Sequence, residues 1–132
     1  MTQINVQYSA TVTSASRDLT AREKLQVTDT NALTPLRESV KQTEDNKLTV
    51  QPVGWIIVDV YNEKAEGDTE YKQYIIEDST GMMFYTGSET FFNSFMQIWE
   101  VMKDEGEDYE IEVYEVPSKN RQGQFFLTCS IV

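Results

Sequence analysis

The chain has 132 residues, 39% of them hydrophobic and 25% charged, and a net charge of −11. That is the size of one domain, with enough apolar surface to bury a core. The acidity excludes a generally basic nucleic-acid binder, and one cysteine with no histidine excludes the usual zinc sites and the commonest general base.

Nothing approaches 18 consecutive apolar residues, and the start, Met-Thr-Gln-Ile-Asn-Val, lacks the basic and apolar regions of a signal peptide. A cytosolic protein without a membrane segment is expected. There is no Gly-rich phosphate loop and no Gly-x-Ser-x-Gly elbow. Most carboxylates lie in runs or alternate with core positions, so neither an enzyme nor a cofactor is expected. The charge is unevenly placed. Residues 1–52 hold six Lys/Arg and six Asp/Glu, whereas residues 53–132 hold five against sixteen.

Residues 4–12 alternate well enough for a strand, residues 14–21 are polar, and residues 25–28 suit a short second strand. Residues 31–47 are rich in polar and turn formers, with Leu33, Leu36 and Val40 at a weak helical spacing. The first 52 residues are expected to form an extension of strands and a long loop, part of the same domain. Residues 54–61 are β-branched and aromatic, as a strand requires, and an acidic loop over 62–69 leads to a second strand over 71–78. Ser79-Thr80-Gly81 makes a tight turn into a third strand over 82–86. Gly87-Ser88 opens a helix with Ser88 or Thr90 as N-cap. Phe91, Phe92, Phe95, Ile98, Trp99 and Met102 form its apolar stripe, and Glu105-Gly106 ends it. Tyr109, Ile111 and Val113 alternate with Glu110 and Glu112. After turn formers at Pro117, Ser118, Asn120 and Gly123, Phe125, Leu127, Cys129 and Ile131 alternate with Phe126, Thr128, Ser130 and Val132. These two runs form a closing hairpin whose tip carries Lys119 and Arg121. Cys129 is expected to be a small buried hydrophobe.

Strand, strand, strand, helix, strand, strand over residues 53–132 is the order of the OB-fold, so the expected class is all-β with one helix, a five-stranded barrel with an N-terminal extension. An open sheet packed on one helix is the alternative. The run Tyr-Ile-Ile-Glu-Asp-Ser-Thr-Gly-Met-Met-Phe-Tyr over 74–85 resembles the middle hairpin of OB-fold nucleic-acid binders. The run Ser-Lys-Asn-Arg-Gln-Gly-Gln-Phe-Phe-Leu-Thr-Cys-Ser-Ile-Val over 118–132 is similar to the closing hairpin of the single-stranded DNA-binding proteins of protein-primed bacteriophages. The resemblance covers roughly residues 53–132. It implies binding of single-stranded DNA without sequence preference during replication, recombination or transfer of a phage or mobile element, in the cytoplasm of a bacterial host. Replication or recombination proteins are the implied partners. The last residues read as strand, so recruitment through a flexible acidic tail is not expected.

A sequence-tolerant single-strand binder needs aromatic faces for bases, worth about 1–3 kcal/mol each, and a few cations for phosphates. Tyr85 and Phe84 face opposite ways, and tyrosine suits the exposed side. Tyr114 shares a face with Glu110 and Glu112, and Phe126 with Thr128 and Ser130. Tyr74 shares a face with Lys72, although isoleucine stands in both phases of that strand. The candidates are therefore Tyr74, Tyr85, Tyr114 and Phe126 for stacking, and Lys72, Lys119 and Arg121 for phosphates, with Trp55 and Tyr61 in reserve. RNA as a ligand and an oligomeric state are left open. One rival is an acidic DNA mimic that inhibits a host enzyme; it requires Asp104, Glu105, Glu107, Asp108, Glu110, Glu112 and Glu115 to form one continuous surface. The other is an adaptor protein of a phage particle, using the barrel for protein contacts alone.

Overall fold

The computed structural model describes residues 8–63 and 67–132. Eight strands and three α-helices follow in order: β1 (Tyr8–Ala15), α1 (Ala21–Val27), β2 (Thr34–Pro35), α2 (Leu36–Lys41), β3 (Lys47–Val50), β4 (Pro52–Asn62), β5 (Glu70–Asp78), β6 (Met83–Thr86), α3 (Glu89–Met102), β7 (Ile111–Pro117) and β8 (Phe125–Ile131). One sheet runs β1-β4-β5-β6-β2, antiparallel except for β2 beside β6, and the other runs β3-β7-β8. Among the described residues the two sheets are bonded separately, and no closed barrel forms. The meander β4-β5-β6, the helix and the closing hairpin occur where the sequence places them. Residues 4–7 of the first expected strand lie outside the described residues.

The two sheets share one length of chain. β3 pairs with β7, and after the single residue Gln51 the chain continues as β4 and pairs with β5. A register shift between Pro52 and Gly54 makes Val53 an extra residue, 54% exposed. One inserted residue reverses which side each later side chain faces. Leu48 and Val50 before it, and Trp55 and Ile57 after it, therefore pack into the same core. Phe91, Phe92 and Phe95 of α3, with Ile111, Val113, Leu127 and Cys129 of the hairpin, complete that core. Burial pushes the Cys129 thiol up to about 12, as the small buried hydrophobe expected there should behave.

The other face of β4, carrying Ile56, Val58 and Val60, makes a second core with Ile75, Val27 and Leu33. The N-terminal third supplies this cover. Residues 25–28 belong to the helix α1 and its C-cap rather than to a strand. Thr20 Oγ1 accepts from the Glu23 N–H at 3.1 Å, and Glu23 Oε1 accepts from the Thr20 N–H at 3.0 Å. That reciprocal cap starts a helix at a point where propensity alone is neutral. Val27 is then fully buried while Leu25 stays 73% exposed.

An ionic network fastens this cover. Arg17 Nη2 lies 2.9 Å from Glu77 Oε2, and Arg17 Nη1 lies 2.7 Å from Glu23 Oε2. Hydrogen bonds to Glu77, then to Glu23, raise the Arg17 guanidinium further above its ordinary value. Ser16 Oγ accepts from the Trp55 N–H at 2.9 Å. Gly54 lies beneath, where a Cβ would stand 2.7 Å from Glu77 Oε1 and 3.0 Å from Ser16 Oγ. Gly54→Ala is expected to displace Glu77 from Arg17 and lower stability by about 1–3 kcal/mol, read from the midpoint of urea unfolding. An unchanged midpoint would mean that the network yields freely.

Candidate nucleic-acid interface

The β7–β8 hairpin positions the site. Cross-strand pairs run from Ile111 opposite Ile131 to Pro117 opposite Phe125. The connection is closed by the Ser118 N–H donating to the Gln124 carbonyl at 2.8 Å and the Gln124 N–H to Arg121 at 3.2 Å. Gly123 has φ +82°, a left-handed conformation that glycine adopts without strain. Alternation divides the sheet into an inner face, with Val113, Leu127 and Cys129, and an outer one. On the outer face Lys47, Tyr114 and Thr128 stand in one cross-strand row, with Val116 and Phe126 in the row nearer the tip. The Tyr114 hydroxyl and Ser130 Oγ are 2.6 Å apart, which fixes the tyrosine ring on this face.

At the tip an open groove of about 960 Å³ is lined by Lys119, Arg121, Phe125, Phe126 and Val116, and by Thr90 from the first turn of α3. Thr90 reaches it because Ser88 caps the helix, its Oγ accepting from the Phe91 N–H at 3.1 Å. On the other side of Phe125 a cavity of about 390 Å³ is bounded by Val40, Lys41, Asn46 and Glu115. Among the described residues Arg17, Lys72 and Lys103 are the cations in ion pairs; Lys119 and Arg121 are in none. Two aromatic rings and two free cations thus meet at one end of an acidic molecule.

Of the residues singled out from sequence, Lys119, Arg121 and Phe126 come together in this groove, and Tyr114 lies on the adjoining face. Tyr74 does not. It is 7% exposed, and its ring stacks on Phe92 with centroids 4.5 Å apart, so the expectation of an exposed stacking ring is corrected. From Gln73 to Glu77 the strand carrying it is buried on both faces, under α3 on one and the N-terminal third on the other. Tyr85 is half-buried against the second core, on the face of the five-stranded sheet opposite Tyr74. Lys72 is 2.7 Å from Asp59, whose carboxylate raises its pKa. It lines a separate cavity that also contains Tyr61, Glu70 and the exposed Tyr71. Trp55 meets Phe92 edge-on at 5.8 Å and is packed against the main core.

Three contributors were absent from the sequence candidates. Phe125 has the core phase of β8 but lies beyond the end of the core and is 55% exposed. Lys41 and Lys47 come from the N-terminal third, where no local motif marks them; only the pairing of β3 with β7 brings them here. The acidic set divides. Asp104, Glu105, Glu107, Asp108 and Glu110 are exposed around the α3–β7 connection, Glu112 is half-buried on the outer sheet face, and Glu115 lies beside Lys41 and Phe125. Glu115 stands in the opposite phase of β7 from Glu112, apart from the rest of the set.

Comparison with protein-family models, with curated proteins and with solved structures gives no significant match to this chain.

Paired truncations test the placement of the aromatics. Tyr74→Ala is expected to cost about 3–5 kcal/mol in urea unfolding, as for a large core aromatic. Phe125→Ala should stay within about 0.5 kcal/mol of the parent, the usual range for a surface position. Equal losses would refute the assignment.

Proposed function

We propose that this protein binds single-stranded DNA without sequence preference, in the replication, recombination or transfer of a phage or mobile element within a bacterial host. The observation carrying this reading is the meeting of unpaired Lys119 and Arg121 with Phe125 and Phe126 in one open groove. Bases stack on the phenylalanine rings and on Tyr114, while Lys119, Arg121 and Lys47 neutralise phosphates. Neither requires a particular base, since every base has a π-face and every nucleotide a phosphate. Nothing in the groove resembles a nucleophile with its base, so binding rather than catalysis is the proposed role.

The architecture supports an open form of the OB-fold. The run of β3 and β4 pairs with β5 in one half and with β7 in the other, followed by meander, helix and hairpin. Such folds bind oligonucleotides through the face of their second and third strands and the loops beside it, including the loop of the last hairpin. Here the face of β5 and β6 turned away from α3 is covered by Val27 of α1 and by Leu33, so in this reading the interface shifts to the hairpin and the adjacent face of the small sheet.

Fluorescence anisotropy of a labelled oligothymidine of about thirty nucleotides, titrated at about 0.1 M salt with a duplex of the same length as control, tests this reading. The single strand alone should bind. Phe125→Ala and Phe126→Ala should each weaken binding by about 1–3 kcal/mol, the usual worth of one stacked base. Lys119→Ala should flatten the dependence of log K on log salt by about 0.7, the contribution of one phosphate on a single strand. Absence of binding, or equal affinity for the duplex, would overturn the proposal.

A further inference from the structure

The opposite end of the β7–β8 hairpin carries a different surface. There Ile98, Val101 and Met102 of α3 and Ile131 of β8 line an almost wholly apolar cavity of about 240 Å³. Val101 is 66% exposed and Ile131 48%, so this apolar surface lies open. A second cavity of about 370 Å³ shares Met102 and Ile131 with the first and is walled by Glu107, Asp108 and Glu110. Glu100, Asp104 and Glu105 add to the same end, so residues 100–110 hold six carboxylates against one lysine. That lysine, Lys103, is held by Glu100 at 2.7 Å. The last turn of α3 has no basic residue, and Lys103 at its C-cap is the one cation in residues 100–110 near the negative end of the helix dipole.

We infer that this end of the molecule is a docking surface for a cationic amphipathic helix of a partner protein. The apolar cavity takes one large aliphatic or aromatic side chain, and the adjoining acidic cavity takes a lysine or arginine. Met102 and Ile131 wall both cavities, so the two adjoin, as do side chains three or four positions apart on one face of a helix. The ring of carboxylates selects among occupants. A second copy of the chain would bring the same negative charge against itself, and nucleic acid or an anionic membrane would also be repelled. The seven-residue strand β7 separates this surface from the groove at the tip by about 20 Å, so both can be occupied together. The inference does not rest on the nucleic-acid reading.

The probe is a fluorescein-labelled 18-residue helix with leucine on one face and lysine on the other. A lysine/serine peptide of equal charge and a leucine/glutamate peptide are the controls. The lysine/leucine helix should bind one-to-one, with both controls at least tenfold weaker. Val101→Ser, at an exposed position that leaves folding intact, should weaken it at least tenfold, as should Glu107→Gln with Asp108→Asn. Glu63→Gln with Asp68→Asn, at the far end of β4, should leave it unchanged. Equal binding of the lysine/serine peptide, or no effect of Val101→Ser, would overturn the inference. So would sedimentation showing a dimer of the chain that Val101→Ser dissolves.

Discussion

The chain from Lys47 to Asn62 is the constraint on which the rest of the structure depends. Its first four residues belong to the small sheet and its last eleven to the large one, so the two sheets cannot move apart without breaking β3 from β7 or β4 from β5. The extra residue at Val53 allows one strand to serve both. Without it, the side chains of β4 would exchange faces, placing Ile56 and Val58 against α3 and Trp55 and Ile57 beneath α1. The larger pair meets the aromatic stripe of α3, where Phe92 contacts Trp55, and the β-branched pair meets the smaller residues of β1, Ala10 and Val12.

This arrangement covers the central sheet on both sides, with functional consequences. β5 is buried without interruption from Gln73 to Glu77, so it offers no broad solvent face on which bases could lie. Where the hairpin extends past the core it leaves Phe125 exposed and Phe126 and Tyr114 half-buried, while Tyr8 on β1 and Tyr71 at the start of β5 are the other exposed aromatics among the described residues. The same extension carries Lys119 and Arg121 away from carboxylates that would pair with them, whereas Lys72, on the central strand β5, has Asp59 directly across the ladder.

The fold was legible where pattern and burial coincide. The α3 stripe, its Ser88 cap and the closing hairpin each present one buried side, and period 3.6 or period 2 identifies it. Tyr74 was misplaced because the alternation that normally separates core from surface carries no information in a strand buried on both faces. The capping box of Thr20 and Glu23 was readable, but the short apolar run behind it satisfied a strand equally well. Phe125 has the phase of a core residue, and only the length of the hairpin relative to α3 exposes it. Lys41 and Lys47 join the interface through a pairing between residues more than sixty positions apart, which no local pattern reports.

An excess of eleven negative charges would ordinarily argue against a polyanionic ligand, yet their placement weakens that objection. The densest acidic segment, 104–110, lies at the far end of the hairpin, about 20 Å from the tip. At 0.1 M salt the Debye length is about 10 Å, so repulsion from that segment is largely screened at the groove, while Lys119 and Arg121 act at contact distance. The acidic end keeps its own field over the apolar cavity it surrounds. Under the two proposals, segregating the charges along one hairpin would let the two ends prefer ligands of opposite sign, which an even distribution of the same residues would not allow.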